Sequence, residues 1–249
     1  MTDQAIPTSS TMIPAGLPRR VIFWRHGRTA WNASGRFQGQ SDVPLDDVGI
    51  GQAERAASLL AGRMASSPGE RSLTLVSSDL TRALDTARAL ARLTGVEPAV
   101  DSRLRETYGG TWQGLTFAEI EQRYPAQTTP WQLDEPQARA GGGETRVEVA
   151  VRMVAAILDA VAKVPPGGTL VVTTHGGSTR VALAKLLGLP EHLWRTLSGL
   201  SNCHWSVVEQ FQPVDAAPED WLWRLLEHNV GTLPEPFEIP EDQAPLVED

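Results

Sequence analysis

The sequence predicts an α/β fold: a three-layer sandwich whose mainly parallel central sheet is flanked by helices. Three features carry that expectation. Short apolar runs are each followed at once by a polar, glycine-containing loop, amphipathic stretches separate the runs, and the two alternate through most of the 249 residues. The first run, residues 21–24, opens into a loop over residues 25–46, as a buried strand ending at a site does. Residues 47–64 repeat Val48, Ala53, Ala56, Leu59 and Leu60 at helical spacing, with acidic residues at the start, where the helix dipole favours them. Residues 73–77 predict a second strand, and residues 79–93 a second helix with Leu80, Leu84, Ala87 and Leu90 or Ala91 on one face. Residues 97–100 form a short strand candidate, residues 103–115 a glycine-rich loop and residues 117–123 a short helix, while residues 124–143 read as mostly irregular. A long helix over residues 144–163 carries Val147, Val151, Val154, Ile157, Leu158 and Val161 and stops at Pro165-Pro166-Gly167-Gly168. Residues 170–174 predict a further buried strand and residues 177–187 another helix. The Trp-rich segments 203–211 and 221–226 suit an antiparallel hairpin. Residues 109–143 show no apolar core of their own and are expected to be an insertion over the sheet edge.

This organisation gives one domain over residues 19–230, preceded by a disordered arm (1–18) and followed by an acidic, Pro-containing tail (231–249). The 22 Lys and Arg against 30 Asp and Glu, a net charge of −8, argue against a nucleic-acid or membrane-surface binder and leave small-molecule chemistry open. Cys203 is the single cysteine, which excludes an internal disulfide and suits a reducing compartment or simple burial. With no signal-like run in residues 1–18 and no membrane-length apolar stretch, the expected location is cytoplasmic.

The chemistry-bearing residues follow strands. Arg25-His26-Gly27 comes after the first and His175-Gly176-Gly177 after the last parallel one, and Ser77-Ser78-Asp79-Leu80-Thr81-Arg82 puts an arginine in the first turn of a helix. In an open α/β sheet these junctions converge at one carboxyl edge, with Glu106 in the neighbouring loop. Two guanidinium forks and two imidazoles suit a tetrahedral, doubly charged phosphoryl group. Singly, each residue has an ordinary explanation: a hydrogen-bonded structural histidine, a solvated helical arginine, a Glu106 paired with Arg103 or Arg105. Their joint placement favours a site. Zinc-type motifs such as H-E-x-x-H and C-x-x-C, and a Gly-Lys-Ser/Thr phosphate loop, are absent, so no metal or cofactor is expected.

Across about residues 20–223, the ordered motifs Arg25-His26-Gly27-Arg28-Thr29-Ala30-Trp31-Asn32, Phe37-Gln38-Gly39, Pro44-Leu45, Ser77-Ser78-Asp79-Leu80-Thr81-Arg82-Ala83, Leu104-Arg105-Glu106 and His175-Gly176-Gly177 resemble the histidine phosphatase superfamily, in its phosphoglycerate mutase-like branch. Within that branch, residues 103–120 and Gly142-Gly143-Glu144-Thr145-Arg146-Val147 resemble the glucosyl-3-phosphoglycerate phosphatases. The resemblance implies a metal-independent phosphomonoester hydrolase in which His26 forms a phosphohistidine. Arg25, Arg82 and His175 then hold and neutralise the phosphoryl oxygens, and Glu106 gives a proton to the leaving alcohol before activating water. It further implies that Asn32, Thr29, Gln38, Gly39 and Gly176 bind substrate. Arg28 departs from the acidic residue or Gln usual in the family, and would add a cation near the substrate.

Two other functions compete with this one. A cofactor-dependent phosphoglycerate mutase would carry a longer insertion than the 69 positions from Glu106 to His175. A catalytically silent phospho-ligand binder would lack the nucleophile or the acid, and both are present. The expected partner is a small phosphate ester. Trp31, Trp112, Tyr124 and Trp131 are candidates to frame the pocket, with core packing at least as good an account of each. Arg139 and Arg146 are candidates for a second anionic group. Trp194, Leu197 and Leu200 suit a homodimer surface or core packing equally.

Overall fold

The computed structural model describes residues 17–65, 72–214, 217 and 220–231; the N-terminal arm up to residue 16 and the tail beyond residue 231 lie outside them. Strand β1 (Arg20–Arg25) explains its unbroken apolar run by being buried on both faces. Val21 and Phe23 point into one apolar cluster and Ile22 and Trp24 into another, the period-two alternation of a strand sandwiched between helices. After the short α1 (Ala30–Ala33) come α2 (Asp47–Ala65), β2 (Leu73–Ser77), α3 (Thr81–Thr94), β3 (Ala99–Val100), α4 (Phe117–Arg123), α5 (Pro125–Gln132), α6 (Arg146–Val161), β4 (Thr169–Thr174), α7 (Gly176–Leu186), β5 (Trp205–Phe211) and β6 (Leu222–Val230).

The six-stranded sheet runs β3-β2-β4-β1-β5-β6. Pairings from β3 to β1 are parallel, and β5 and β6 add antiparallel strands at one side. Helices α6 and α7 cover one face, with Met153, Ile157 and Leu183 fully buried, while Ala53, Ala56, Leu60 and Leu90 of α2 and α3 fill the other. This is the three-layer α/β sandwich expected. Register does the work of assembly: Arg25 pairs with Thr174 and Ser77 with Thr173, so the residues following β1, β4 and β2 emerge side by side at the carboxyl edge.

Two expectations need correction, and one helix escaped the reading. Residues 124–143 are mostly irregular as expected, but α5 occupies Pro125–Gln132 within them; Pro125 sits at the helix start, where its missing N–H costs nothing, but Pro130 inside reads as a breaker. The 109–143 insertion does have an apolar cluster, built from Trp112, Ile120 and Ala140 with Phe37, Leu115, Tyr124 and Trp131, and it overhangs the carboxyl ends of the strands. Trp194 and Leu200 belong to the main core, at 3% and 2% exposure, so packing accounts for them and a dimer surface does not.

Candidate active site

At the carboxyl edge a cavity of about 330 Å³ is walled at its inner end by Arg25, His26, Arg82 and Glu106. His26 leaves β1 with its ring 3% exposed and its Nδ1 2.7 Å from the Gly27 carbonyl oxygen. That contact places the ring proton on Nδ1, leaving the Nε2 lone pair free. The His26 carbonyl is itself fixed, accepting from the backbone N–H of Cys203 at 3.2 Å and from the Asn202 amide at 3.1 Å. The close approach of the chain here requires glycine: a Cβ on Gly27 would lie 2.3 Å from the Gly49 carbonyl oxygen.

Arg82 is fully buried in the first turn of α3, where its guanidinium donates to the carbonyls of Ser41 at 2.7 Å and Gly39 at 2.8 Å. Its Nε–H points to His175 Nδ1 at 3.3 Å, so the His175 proton sits on Nε2, facing Ser78 Oγ at 3.0 Å. The His175 ring lies edge-on behind His26, centroids 5.1 Å apart, and is itself fully buried. Arg25 lines the cavity and donates to the Leu200 carbonyl at 2.5 Å, while its Nε is buried with no hydrogen-bond partner among the described residues.

Glu106 is not paired with its neighbouring arginines. Arg103 engages Asp101 and Asp159, and Arg105 grips Asp79 through two hydrogen bonds. The Glu106 carboxylate instead accepts backbone N–H groups of Gly177 at 2.9 Å, Ser178 at 2.8 Å and Thr107 at 2.8 Å, at the amino end of α7 where the dipole favours an anion.

Burial first, then the charges of Arg82 and Arg25, hold the His26 imidazole well below its ordinary 6.5; burial and Arg82 do the same for His175. Burial lowers Arg82 to about 10, still a cation at neutral pH. Both rings are therefore neutral at pH 7. Because their folded-state values lie below the unfolded value, the unfolded chain binds more protons once the pH drops past 6.5. Stability should accordingly be complete above pH 6.5 and fall below it, by up to about 1.4 kcal/mol per pH unit for each ring, with His228, also lowered by burial, adding to the same window. Urea midpoints at pH 7.5 and 5.5 check this, and equal midpoints would refute it.

Of the substrate-binding candidates, Asn32, Gln38 and Gly39 line the cavity. Asn32 Oδ1 accepts from the Thr29 backbone and hydroxyl and from Asn202, which leaves its amide N–H groups to face inward. Thr29 and Gly176 are not on the wall. Thr29 is fully buried and caps α1, while Gly176 permits close packing, since a Cβ there would lie 2.9 Å from the Leu200 carbonyl and 3.3 Å from Arg25 Nε. His175 likewise stands behind the wall. Arg28 adds no cation to the cavity: its Nε pairs with Asp46 at 2.9 Å. Arg139 is taken up by Glu148, whereas Arg146 does line the pocket. Of the four aromatics nominated, only Trp131 reaches the cavity; Trp112 and Tyr124 pack in the insertion's cluster and Trp31 lies against Gly114.

Residues that sequence reasoning missed form the outer wall: Arg36, Phe37, Phe117 and Arg180. Behind it, Asp134 binds Arg146 at 2.6 Å and Arg180 through two hydrogen bonds at 2.5 and 2.7 Å, with Arg146 stacked 3.7 Å over Trp131. Burial would raise the Asp134 carboxyl, but the Arg180 hydrogen bonds and the charges of Arg146, Arg180 and Arg195 hold it low. Asp134→Ala should strand two largely buried guanidinium groups and destabilise the fold by about 3 kcal/mol, readable as a lower urea midpoint. A loss under about 1 kcal/mol would contradict that account. Among the described residues, no group of three or more His, Cys, Asp or Glu is placed to hold a metal ion, and no helix is long and apolar enough to cross a membrane.

A cavity whose inner end holds a neutral histidine and two arginines defines a class, and comparison with known proteins agrees. The family model described as histidine phosphatase superfamily (branch 1) matches residues 21–215, and the chain belongs to that superfamily. The glucosyl-3-phosphoglycerate phosphatase of Mycolicibacterium vanbaalenii is 39% identical over 216 residues, covering 83% of this chain and 92% of the relative. A probable phosphoglycerate mutase of Yersinia enterocolitica is 38% identical over 195 residues, covering 76% and 84%. A solved mycobacterial glucosyl-3-phosphoglycerate phosphatase in complex with VO3 superposes with a TM-score of 0.75 at 37% identity, over 86% of this chain and 100% of that one. The protein is a phosphatase.

Proposed function

We propose that this phosphatase hydrolyses glucosyl-3-phosphoglycerate through a phosphohistidine on His26. The observation that carries the reading is the His26 ring: neutral, tied through Nδ1 to Gly27, and walled in with Arg25, Arg82 and Glu106. Its Nε2 attacks phosphorus in line and the ester P–O bond breaks as Glu106 delivers a proton to the leaving alkoxide. Water then gives its proton to Glu106 and attacks phosphorus, the N–P bond breaks, and inorganic phosphate leaves. Arg25 and Arg82 balance charge on the phosphoryl oxygens, and Asn32, Gln38 and Gly39 complete the cradle. His175, accepting from Arg82, orients that guanidinium and backs the nucleophile.

The outer wall supports a glycosylated, acidic leaving group. Phe37, Phe117 and Trp131 supply faces for a sugar ring, and Arg146 with Arg180 exceeds the single charge of Asp134, leaving positive charge for a carboxylate. We place the enzyme in the cytoplasm on its single, buried thiol, Cys203, which burial pushes up to about 12 and so leaves unreactive.

The test is phosphate release in EDTA from glucosyl-3-phosphoglycerate, 3-phosphoglycerate, 2,3-bisphosphoglycerate, sugar phosphates and p-nitrophenyl phosphate. A strong preference for the glucosylated ester is expected. Preference for another ester would overturn the substrate assignment, and exchange between 3- and 2-phosphoglycerate without release would point to the mutase.

A further inference from the structure

Glu106 lies in a segment, residues 105–109, that is neither helix nor strand, so its backbone carbonyls have no ladder to satisfy them. Arg152, on α6, takes that place. One of its terminal nitrogens donates to the carbonyls of Arg103 and Arg105, both at 2.7 Å; the other donates to the Glu106 carbonyl at 2.9 Å and to Glu144 at 2.8 Å; its Nε donates to Glu144 at 2.7 Å. All five guanidinium N–H donors are thereby engaged. Glu144 in turn accepts the Tyr108 backbone N–H at 2.8 Å, and Gln40 reaches the Glu106 carbonyl at 3.2 Å. The pair is only about one-fifth exposed, at 19% and 21%. Gly143 allows this closeness, since a Cβ there would sit 2.0 Å from the Tyr108 carbonyl oxygen.

We infer that Arg152 and Glu144 are positioning residues for Glu106, clamping its backbone from α6 while α7 holds its carboxylate, and thereby set proton delivery to the leaving group. This rests on the proposed role of Glu106. The Glu144 contacts also explain why a glutamate follows the glycines of the 142–147 motif, a residue to which the reaction itself gives no part.

Leaving-group dependence separates positioning from general support. An alkoxide needs a proton to depart, whereas p-nitrophenolate does not, so displacing Glu106 must slow the first chemical step on one ester and spare it on the other. Single-turnover rates are to be measured for Arg152→Lys, Glu144→Gln and Glu106→Gln on glucosyl-3-phosphoglycerate and p-nitrophenyl phosphate. First-turnover burst amplitude counts folded sites, so partial misfolding lowers amplitude without altering the rate.

Glu106→Gln should slow the alkyl ester about 100-fold. Arg152→Lys should slow it about 10- to 100-fold, because a single ammonium cannot span five acceptors, and Glu144→Gln should fall between that variant and wild type. For all three, the first p-nitrophenolate release should change less than about threefold, with phosphohistidine then accumulating because the second step needs Glu106 as base. Equal slowing of both esters by Arg152→Lys, or of neither, would overturn the clamp while a selective Glu106→Gln left the Glu106 role standing. If Glu106→Gln itself showed no selectivity, both would fall.

Discussion

His26→Ala should lower kcat/KM by at least about 10⁴-fold and abolish covalent labelling, because no other group on the cavity wall is placed to attack phosphorus. The comparison is made with a radiolabelled phosphate ester, quenched in alkali so that an N–P bond survives. Wild type should carry label and the variant none. A variant that kept more than about a hundredth of the wild-type rate, or that still took up label, would move the nucleophile elsewhere.

Arg82→Ala comes next in expected effect. It removes a buried cation from the phosphoryl end and should cost about 10³-fold in kcat/KM. It also leaves the Ser41 and Gly39 carbonyls and His175 Nδ1 without their donor, so a loss of about 2–3 kcal/mol of stability should accompany it. A third readout ties these together. Arg82 is one of the charges holding His26 below 6.5, so the acid limb of kcat/KM should lie below pH 6.5 in wild type and move upward in the variant. An unmoved limb would show that the guanidinium does not act on the nucleophile.

Much of the fold was legible because its signals are local. Residues 73–77 and 117–123 were delimited as β2 and α4 are observed, and the strands at 21–24 and 170–174 within two residues, since apolar runs and turn residues mark their own ends. Helix α5 was not, because Pro130 contradicts a helix locally while packing of its Trp131 onto Phe37 and Trp112 sustains it. The insertion's small core escaped notice for a related reason: its members run from Phe37 to Ala140, and no window of sequence contains them.

The candidate site divides along the same line. Arg25, His26, Arg82, Glu106 and His175 stood out because each follows a recognisable strand or motif. Arg180 and Asn202 did not, since a helical arginine five residues beyond His175 or an asparagine in a loop has many ordinary roles until its partners are known. Arg28 and Arg139 erred in the other direction: near the site in sequence, they are claimed by Asp46 and Glu148.

The sequence by itself determined the layers of the sandwich, the order of its strands and of the long helices that flank them, and the identity of the groups able to bind and transfer a phosphoryl unit, because hydrophobic period and side-chain chemistry belong to the residues. Tertiary structure decided which of those groups meet. The register of Arg25 against Thr174 brings His26 beside His175, and the carboxyl end of β2 places Ser78 and Arg82 around them. Protonation was decided there too, since an imidazole stays neutral below pH 6.5 only through burial and neighbouring guanidinium charge, which are properties of packing rather than of the chain.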